Sequence, residues 1–268
     1  MKRWLTAVVL LPPLIGVVGF LPSWCFLALI AGVAAIALEE FFRLSRGTGI
    51  PVFRVVAHAF SLLLVGSFYW SPHDHSAVFW LLILAVVTCL VLTLRRRHKL
   101  QDTLPSCGVT LMGLVYVSTA LGLILAIHNR PQGDGPSWVL FLLLTVWLGD
   151  TAAYTIGSLL GKRPLAPRIS PGKTWEGAIG ALLGNSLAAL TSQVLIPQIP
   201  LIPRFLLCWT LGIAGQVGDL AESAMKRGAR TKESSELLPG HGGMLDRIDG
   251  VLFAAPLLYF YLHVFGQA

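Results

Sequence analysis

The feature that most constrains this chain is a series of long apolar segments separated by short polar stretches. Each segment is close to the ~20 residues that a helix needs to cross a bilayer. Nine segments can be recognised, at about residues 5–21, 24–38, 52–70, 78–94, 108–127, 138–160, 175–196, 205–225 and 248–265. Charged residues make up only 12% of the chain, against about 25% in soluble domains. The pattern predicts an all-α integral membrane protein with about nine transmembrane helices.

The basic residues predict how these helices are oriented. In the nine-span arrangement, 18 of the 20 Lys and Arg residues fall on one side, and only Arg130 and Arg204 fall on the other. Because Lys and Arg are retained on the cytoplasmic side, we expect a cytoplasmic N-terminus. A cleavable signal peptide is the alternative for the first segment, which is longer than the apolar core of an ordinary signal peptide.

No internal repeat or low-complexity linker divides the sequence, so we expect one membrane domain over residues 1–268. Residues 1–137 would supply the N-terminal spans. Residues 138–268 would supply the remaining spans and the loops of a polar cavity that faces the cytoplasm, because the most polar stretch of the chain, 216–250, lies there.

That polar stretch predicts a site for a metal ion and a phosphate. Four of its residues recur at i, i+3, i+4 and i+7 and therefore share one helix face: Asp219, Glu222, Ser223 and Lys226. A basic loop and a Pro-Gly-His-Gly-Gly turn follow, and then come Asp246, Arg247 and Asp249. Two aspartates three residues apart, beside Lys and Arg side chains, suggest that a cation and a phosphate are bound together.

Asp150 lies inside a predicted span, where an ionisable group costs a few kcal/mol, so it is a functional candidate. A helix-packing aspartate hydrogen-bonded to a neighbour is the alternative. Gly157 and Gly161 extend a surface that another helix can approach closely. Five acids together offer the hard oxygen ligands that Mg²⁺ prefers: Asp150, Asp219, Glu222, Asp246 and Asp249.

Gly172, Lys173 and Thr174 resemble the end of a phosphate-binding P-loop. That motif needs a glycine at position 167, which is Pro167 here, and a preceding strand, which we do not expect in an all-helical chain. We reject the P-loop and keep Lys173 as a phosphate contact. Three residues of this loop are typical of a helix N-terminal cap, whose positive end also attracts an anion: Ser170, Thr174 and Glu176.

His241 lies between two glycines and could be a metal ligand, an acid or base, or a residue that holds the turn. Phosphoryl transfer through an ionised phosphate needs no general base. We therefore favour a positioning or phosphate-contact role.

At these residues the sequence resembles the phosphatidate cytidylyltransferase family, also called CDP-diacylglycerol synthases. The resemblance rests on three blocks: Gly149-Asp150 with Ala153-Tyr154; Ser170-Pro171 with Lys173 to Gly177; and Ser223, Lys226, Arg227 and Lys232 followed by Pro239 to Gly243, Asp246, Arg247 and Asp249. Glu233, Ser235 and Gly250 depart from the family pattern, where aspartate, glycine and serine are common. None of the departures removes a candidate metal ligand.

The resemblance implies that CTP and phosphatidate are converted to CDP-diacylglycerol and pyrophosphate. It implies Mg²⁺ on Asp219 and Asp246, with Asp249 or Asp150, and a second cation for which a monovalent ion is an option. Asp219, Asp246 and Lys226 would be catalytic. The substrate contacts would be Ser170, Lys173, Ser223, Arg227, Lys232, His241, Gly242, Gly243 and Arg247. A homodimer among membrane lipids, with no nucleic-acid partner, is expected in a bacterial inner membrane.

Three other functions are weighed against this one. An ion-coupled transporter could use Asp150 and Asp219 for ions, but it would not need the basic loop or the glycine-flanked histidine, and no second half mirrors the first. A CTP-dependent lipid kinase would use an alcohol as the nucleophile. A CDP-alcohol phosphotransferase is disfavoured because Asp249-Gly250 is not followed by that family's Ala-Arg pair.

Overall fold

The computed structural model describes residues 2–95, 99–231, 235 and 242–265, and the side chains of residues 2–10 and 95 are not considered. The described chain divides into two compact units, each built from two segments of sequence. The first unit comprises Met1–Arg130 and Gly228–Arg247, and the second comprises Pro131–Arg227 and Ile248–Ala268. The prediction of one domain with a division at residue 137 stays a prediction.

The first unit contains six helices. They are α1 (Lys2–Gly19), α2 (Ser23–Gly47), α3 (Arg54–Trp70), α4 (Ser76–Arg95), α5 (Thr103–Gly113) and α6 (Ala120–His128). A π-helical turn, Leu114–Thr119, joins α5 to α6. Helix α3 packs on α2, α4 and α6 around large buried side chains such as Leu64 and Phe68.

The second unit contains α7 (Gly135–Leu160), β1 (Pro164–Ala166), β2 (Ser170–Thr174), α8 (Trp175–Thr191) and α9 (Leu201–Gly228). Helix α10 (Leu245–Phe265) begins in the first unit and continues in the second from Ile248. Helices α7 and α8 pack extensively against each other. A Cβ on Gly161 would lie 2.8 Å from Thr174 Cγ2, and one on Gly157 would lie 3.4 Å from Gly177 Cα. The close approach of another helix is confirmed at Gly157, where α8 is that helix, whereas Gly161 is approached by Thr174 at the end of β2.

The helical membrane protein predicted from the apolar segments is confirmed. A helix occupies each of the nine predicted segments in the part of the chain described. Six helical stretches there are long and apolar enough to cross a membrane: Ser23–Gly47, Ser76–Leu94, Leu100–His128, Gly135–Leu160, Leu201–Gly228 and Leu245–Phe265. Helix α3 is apolar and shorter. The number of spans, nine, stays a prediction.

Helix α2 is longer than its apolar segment, which ends near Leu38. The helix continues to Gly47 because the next residues still have reasons to be helical. Arg43 lies four residues after Glu39 and pairs with it, an arrangement that supports a helix. Phe41, Phe42 and Leu44 remain buried. The helix therefore carries Glu39 and Glu40 beyond the apolar segment without an interruption.

The expectation that no strand occurs between α7 and α8 is wrong. Strands β1 and β2 form an antiparallel hairpin in which Pro164 lies opposite Thr174 and Ala166 lies opposite Ser170. Prolines prevent this stretch from continuing the helix, so its backbone polar groups find partners across a hairpin instead. The P-loop remains rejected, because Lys173 is a strand residue here and does not lie in a glycine-rich loop between a strand and a helix.

Candidate active site

Helices α9 and α10 bring three carboxylates together in the second unit. One ligand oxygen from each of Asp219, Glu222 and Asp249 lies within 4.8 Å of the other two. Asp219 and Glu222 are one turn apart on α9, as their spacing predicted, and Asp249 reaches them from α10. Glu222 is fully buried and Asp249 is 8% exposed, whereas the Asp219 side chain is 41% exposed. We call Asp219, Glu222 and Asp249 the acid cluster.

The acid cluster depends on a close approach of two helix backbones. A Cβ on Gly218 would lie 2.5 Å from the carbonyl oxygen of Asp249 and 3.1 Å from Phe253 Cβ. On α10, a Cβ on Gly250 would lie 3.4 Å from Gly215 Cα. Gly250, which stands where the family commonly has serine, therefore lies at this helix crossing. The absence of side chains here lets Asp249 reach the carboxylates of α9.

Two lysines pair with the acid cluster. Lys173 Nζ lies 2.5 Å from Asp219 Oδ2, and Lys226 Nζ lies 2.5 Å from Glu222 Oε2. Ser223 Oγ is 3.5 Å from Asp219 Oδ1, and Asp249 Oδ1 accepts a hydrogen bond of 2.7 Å from the Gly250 amide. Lys173 and Ser223, predicted to bind substrate, thus lie beside the predicted metal ligand Asp219, and the predicted catalytic residue Lys226 lies beside Glu222.

Asp150 of α7 belongs to the same neighbourhood. It interacts electrostatically with Asp219, Asp249 and Lys173. The four carboxylates of this neighbourhood therefore face two ammonium groups, and the six side chains together carry two more negative charges than positive ones when ionised. Carboxylates held this close repel one another unless a cation lies between them. The donor set, made of hard oxygens, fits Mg²⁺.

The hairpin holds Lys173 and is anchored at both of its ends. Thr174 Oγ1 accepts a hydrogen bond of 3.1 Å from the Gly177 amide, so the predicted N-terminal cap of α8 is confirmed for Thr174. Ser170 instead pairs with Ala166 at the other end of the hairpin. Arg227 Nε donates to the Ile169 carbonyl at 3.2 Å, which attaches the end of α9 to the hairpin turn.

Glu176 lies outside the six candidate spans and holds the start of the hairpin. Its Oε2 accepts hydrogen bonds from the amides of Lys162, at 3.0 Å, and Arg163, at 3.2 Å. The Lys162 amide is the main reason that the pKa of Glu176 lies below its usual value. Glu176, in the first turn of α8, thus connects that helix to the start of the hairpin.

The glycine-rich turn before α10 belongs to the first unit. Asp246 Oδ2 accepts a hydrogen bond of 2.8 Å from the Gly243 amide. Gly242 has a φ of +75°, and a Cβ there would lie 2.8 Å from Asp246 Oδ2, so the turn requires glycine at this position. The roles assigned to Gly242, Gly243, Asp246 and Arg247 stay predictions. Lys232 and His241 lie outside the described residues, as does Glu233.

Sequence reasoning missed Glu40. Its side chain, on α2, is buried and accepts hydrogen bonds from the amides of Met244, at 3.1 Å, and Leu245, at 2.7 Å. The Ser235 hydroxyl also donates to Glu40. A carboxylate at the end of an apolar segment is a weak indication, and no spacing rule connects residues about 200 positions apart. Glu222 was counted among the acids that offer oxygen ligands, but it was not assigned to the metal. In the structure its carboxylate lies within the acid cluster.

Comparisons with known proteins identify the family of the chain. Residues 1–265 match the model of the cytidylyltransferase family. The phosphatidate cytidylyltransferase of Bacillus subtilis is 33% identical over 254 residues, which are 93% of this chain and 92% of that protein. The enzyme of the same name from Brucella melitensis is 44% identical over 160 residues, 58% of this chain and 57% of that protein. The one from Staphylococcus saprophyticus is 32% identical over 232 residues, 84% of this chain and 85% of that protein. The chain is therefore an enzyme of the cytidylyltransferase family.

Proposed function

We propose that the protein is a CTP:phosphatidate cytidylyltransferase of phospholipid biosynthesis. The observation that carries this function is the acid cluster of the second unit, paired with Lys173 and Lys226 on helices apolar enough to cross a membrane. Phosphatidate has acyl chains that stay in the bilayer and a phosphate that must meet a water-soluble nucleotide. Ionisable groups at the polar ends of membrane helices meet that requirement.

The reaction joins two phosphates and needs few proton transfers. An oxygen of the lipid phosphate attacks the α-phosphorus of CTP, the bond from that phosphorus to the bridging oxygen breaks, and pyrophosphate leaves with the electron pair. The attacking oxygen is already ionised, so the chain need not supply a general base. Its main tasks are to place the two phosphates in line and to offset their negative charge.

The lysines and the serine of the site serve the phosphates. Lys173 and Lys226 are held by Asp219 and Glu222, and a cation on those carboxylates would leave the ammonium groups for phosphate oxygens. Ser170, Ser223, Arg227 and Arg247 would donate further hydrogen bonds, with Lys232, His241 and the glycines of the turn. Asp219, Glu222 and Asp249, with Asp150 and Asp246, would hold Mg²⁺, which neutralises phosphate charge when bound. A second cation, for which a monovalent ion is an option, would share the acids.

The location of the reaction follows from the charges on the loops. We propose a bacterial inner membrane with the site facing the cytoplasm, where CTP and Mg²⁺ occur, because nearly all basic residues fall on one side in the nine-span arrangement. A polar cavity open to that side and a homodimer complete the proposal.

The test is cytidylyl transfer by the purified protein in detergent micelles with phosphatidate, Mg²⁺ and CTP labelled at the α-phosphorus. We expect label in a lipid product, lost on chelation and in the Asp246→Asn and Asp249→Asn variants. Parallel reactions with CTP labelled at the γ-phosphorus and diacylglycerol test the lipid kinase. A folded protein that binds CTP yet labels no lipid from the α-position would exclude the proposed function, and lipid labelled from the γ-position would assign the kinase instead.

A further inference from the structure

We propose that Glu40 is a positioning residue that fixes the glycine-rich turn and the first turn of α10 for the transfer reaction. The reaction that Glu40 would serve is the one given under the proposed function. The geometry of the proposal comes from contacts within the first unit. Glu40 is 2% exposed, and it accepts hydrogen bonds from the amides of Met244 and Leu245 and from the Ser235 hydroxyl. It acts through the backbone that carries Asp246.

The first argument is the hydrogen bonding of a helix end. The first amides of a helix have no acceptor within that helix. At the start of α10, Glu40 supplies the acceptors from another helix, with Oε1 accepting from the Met244 amide and Oε2 from the Leu245 amide. A carboxylate at the positive end of a helix is favourable, and charged acceptors make strong hydrogen bonds. Glu40 therefore determines where α10 begins.

The second argument is that three successive amides are held by two carboxylates. The Gly243 amide donates to Asp246, and the next two amides, of Met244 and Leu245, donate to Glu40. Asp246 can accept from Gly243 in this way only while the turn keeps its direction into α10. A change at Glu40 would therefore alter the orientation of Asp246 without touching it.

The third argument is that α2 contacts the chain between α9 and α10 at several described residues. The Ser235 hydroxyl donates to Glu40 Oε1, at a position where the family commonly has glycine. A Cβ on Gly47 would lie 2.8 Å from the Ala229 carbonyl oxygen, so the end of α2 lies against the start of the segment. Helix α2 thus contacts three described parts of the chain between α9 and α10, at Ala229, at Ser235 and at Met244 with Leu245.

Glu39, the preceding residue of α2, provides a matched control. Its carboxylate pairs with arginines of the first unit, Arg46 at 3.1 Å and Arg54 at 2.7 Å. None of the hydrogen bonds described for it reaches the turn before α10. Replacing Glu39 or Glu40 by glutamine removes one charge from the same helix, but only the change at Glu40 alters the acceptors of Met244 and Leu245.

The experiment compares wild type with Glu40→Gln, Glu40→Asp, Ser235→Gly and Glu39→Gln. The readouts are kcat and KM for both substrates, and the hydrogen exchange of the Met244 and Leu245 amides in detergent micelles. For Glu40→Gln we expect faster exchange confined to the start of α10. We also expect kcat to fall about 10–100-fold, the usual effect of losing a residue that orients a ligand, with KM changed less than kcat.

Glu40→Asp keeps the charge on a shorter side chain and should recover part of both effects. Ser235→Gly should lower kcat only a few-fold because both amide hydrogen bonds remain, and Glu39→Gln should resemble wild type in exchange and kcat. Wild-type exchange at Met244 and Leu245 in Glu40→Gln would overturn the proposal. If Glu40→Gln does not fold, Glu40→Asp decides by the same readouts, and wild-type behaviour there would overturn it.

The experiment distinguishes failure of the proposed function from failure of the role proposed for Glu40. If wild type transfers no cytidylyl group, the exchange measurement still reports whether Glu40 holds the turn. If wild type is active and Glu40→Gln keeps the wild-type kcat despite faster exchange, the positioning role alone is excluded.

Discussion

Two acids of α2, in the first unit, and four acids of the second unit are compensated in opposite ways. In the first unit, Glu39 is surrounded by Arg43, Arg46, Arg54 and His58, and Glu40 is held by backbone amides and a hydroxyl. In the second unit, Asp150, Asp219, Glu222 and Asp249 share Lys173 and Lys226.

The difference separates structural acids from functional ones. A buried carboxylate is costly unless donors or cations compensate it. Glu39 and Glu40 of α2 are compensated by the chain itself, so they are suited to hold the structure together. Among the described residues, the four carboxylates of the second unit outnumber the two lysines that pair with them, and a cation from outside the chain can offset the difference. The following changes test this distinction, in order of decreasing expected effect.

The largest effect is expected for Asp219→Asn in the second unit. The change removes a charge from the acid cluster and from the pair with Lys173. Loss of an outer residue that merely orients a metal ligand costs about 10–100-fold in activity, so we expect a loss greater than about 100-fold here. Initial rates of lipid labelling at saturating CTP and phosphatidate measure it. Asp74→Asn, which removes an acid from the loop before α4, is the control, and a rate of Asp219→Asn within tenfold of wild type would refute the prediction.

The next effect concerns the helix crossing that assembles the acid cluster. In Gly218→Ala the new methyl group would lie 2.5 Å from the Asp249 carbonyl oxygen, so α10 must move. Overpacking of this kind destabilises a protein by about 1–3 kcal/mol, and we expect activity to fall with it. Gly215→Ala is the matched control, because its nearest contact would be 3.8 Å. Denaturant titrations and lipid labelling measure both variants, and equal behaviour of the two would contradict the role of the crossing.

A smaller effect, of opposite sign, is expected in the absence of divalent ions. At a pH at which Asp249 is ionised, Asp249→Asn removes one of the mutually repelling charges of the acid cluster, so the metal-free protein should be stabilised. A gain of about 1 kcal/mol corresponds to ~2–4 °C in melting temperature for a chain of this size. The same variant should lose the rise in melting temperature that Mg²⁺ produces in wild type, while Glu39→Gln keeps it. Melting curves recorded in EDTA and in Mg²⁺ measure both effects. If Asp249→Asn melts at a lower temperature than wild type in EDTA and its melting temperature still rises with Mg²⁺, the metal site is excluded.

The smallest effect is expected for Glu39→Gln in the first unit. Its partners Arg43 and Arg46 are more than half exposed, and exposed ion pairs contribute about 0–1 kcal/mol each. The closer partner Arg54 is 29% exposed, and the side-chain carbonyl oxygen of glutamine can still accept its hydrogen bond. We expect a loss of stability below about 1 kcal/mol, reduced further by salt, and activity within about twofold of wild type. Denaturant titrations at low and high salt measure the loss. A large loss of activity would show that Glu39 serves the reaction as well as the structure.

The sequence predicted the helices well because hydrophobicity along a helix is a local property. Each of the nine apolar segments is helical in the described residues, and the i, i+3 spacing placed Asp219 and Glu222 together on α9. The hairpin before α8 was missed because its strands are short, lie among prolines and carry no alternating apolar pattern.

By itself, the sequence determined that the chain forms apolar helices, which of them carry acids, and which family its motifs resemble, since all of these depend on neighbouring residues. Only the tertiary structure decided which acids meet. Asp249 joins Asp219 and Glu222 because the bare backbone at Gly218 lets two helices touch. Glu40 meets Leu245 across 205 positions of sequence. Contacts between distant residues depend on how whole helices pack, and no local pattern records that packing.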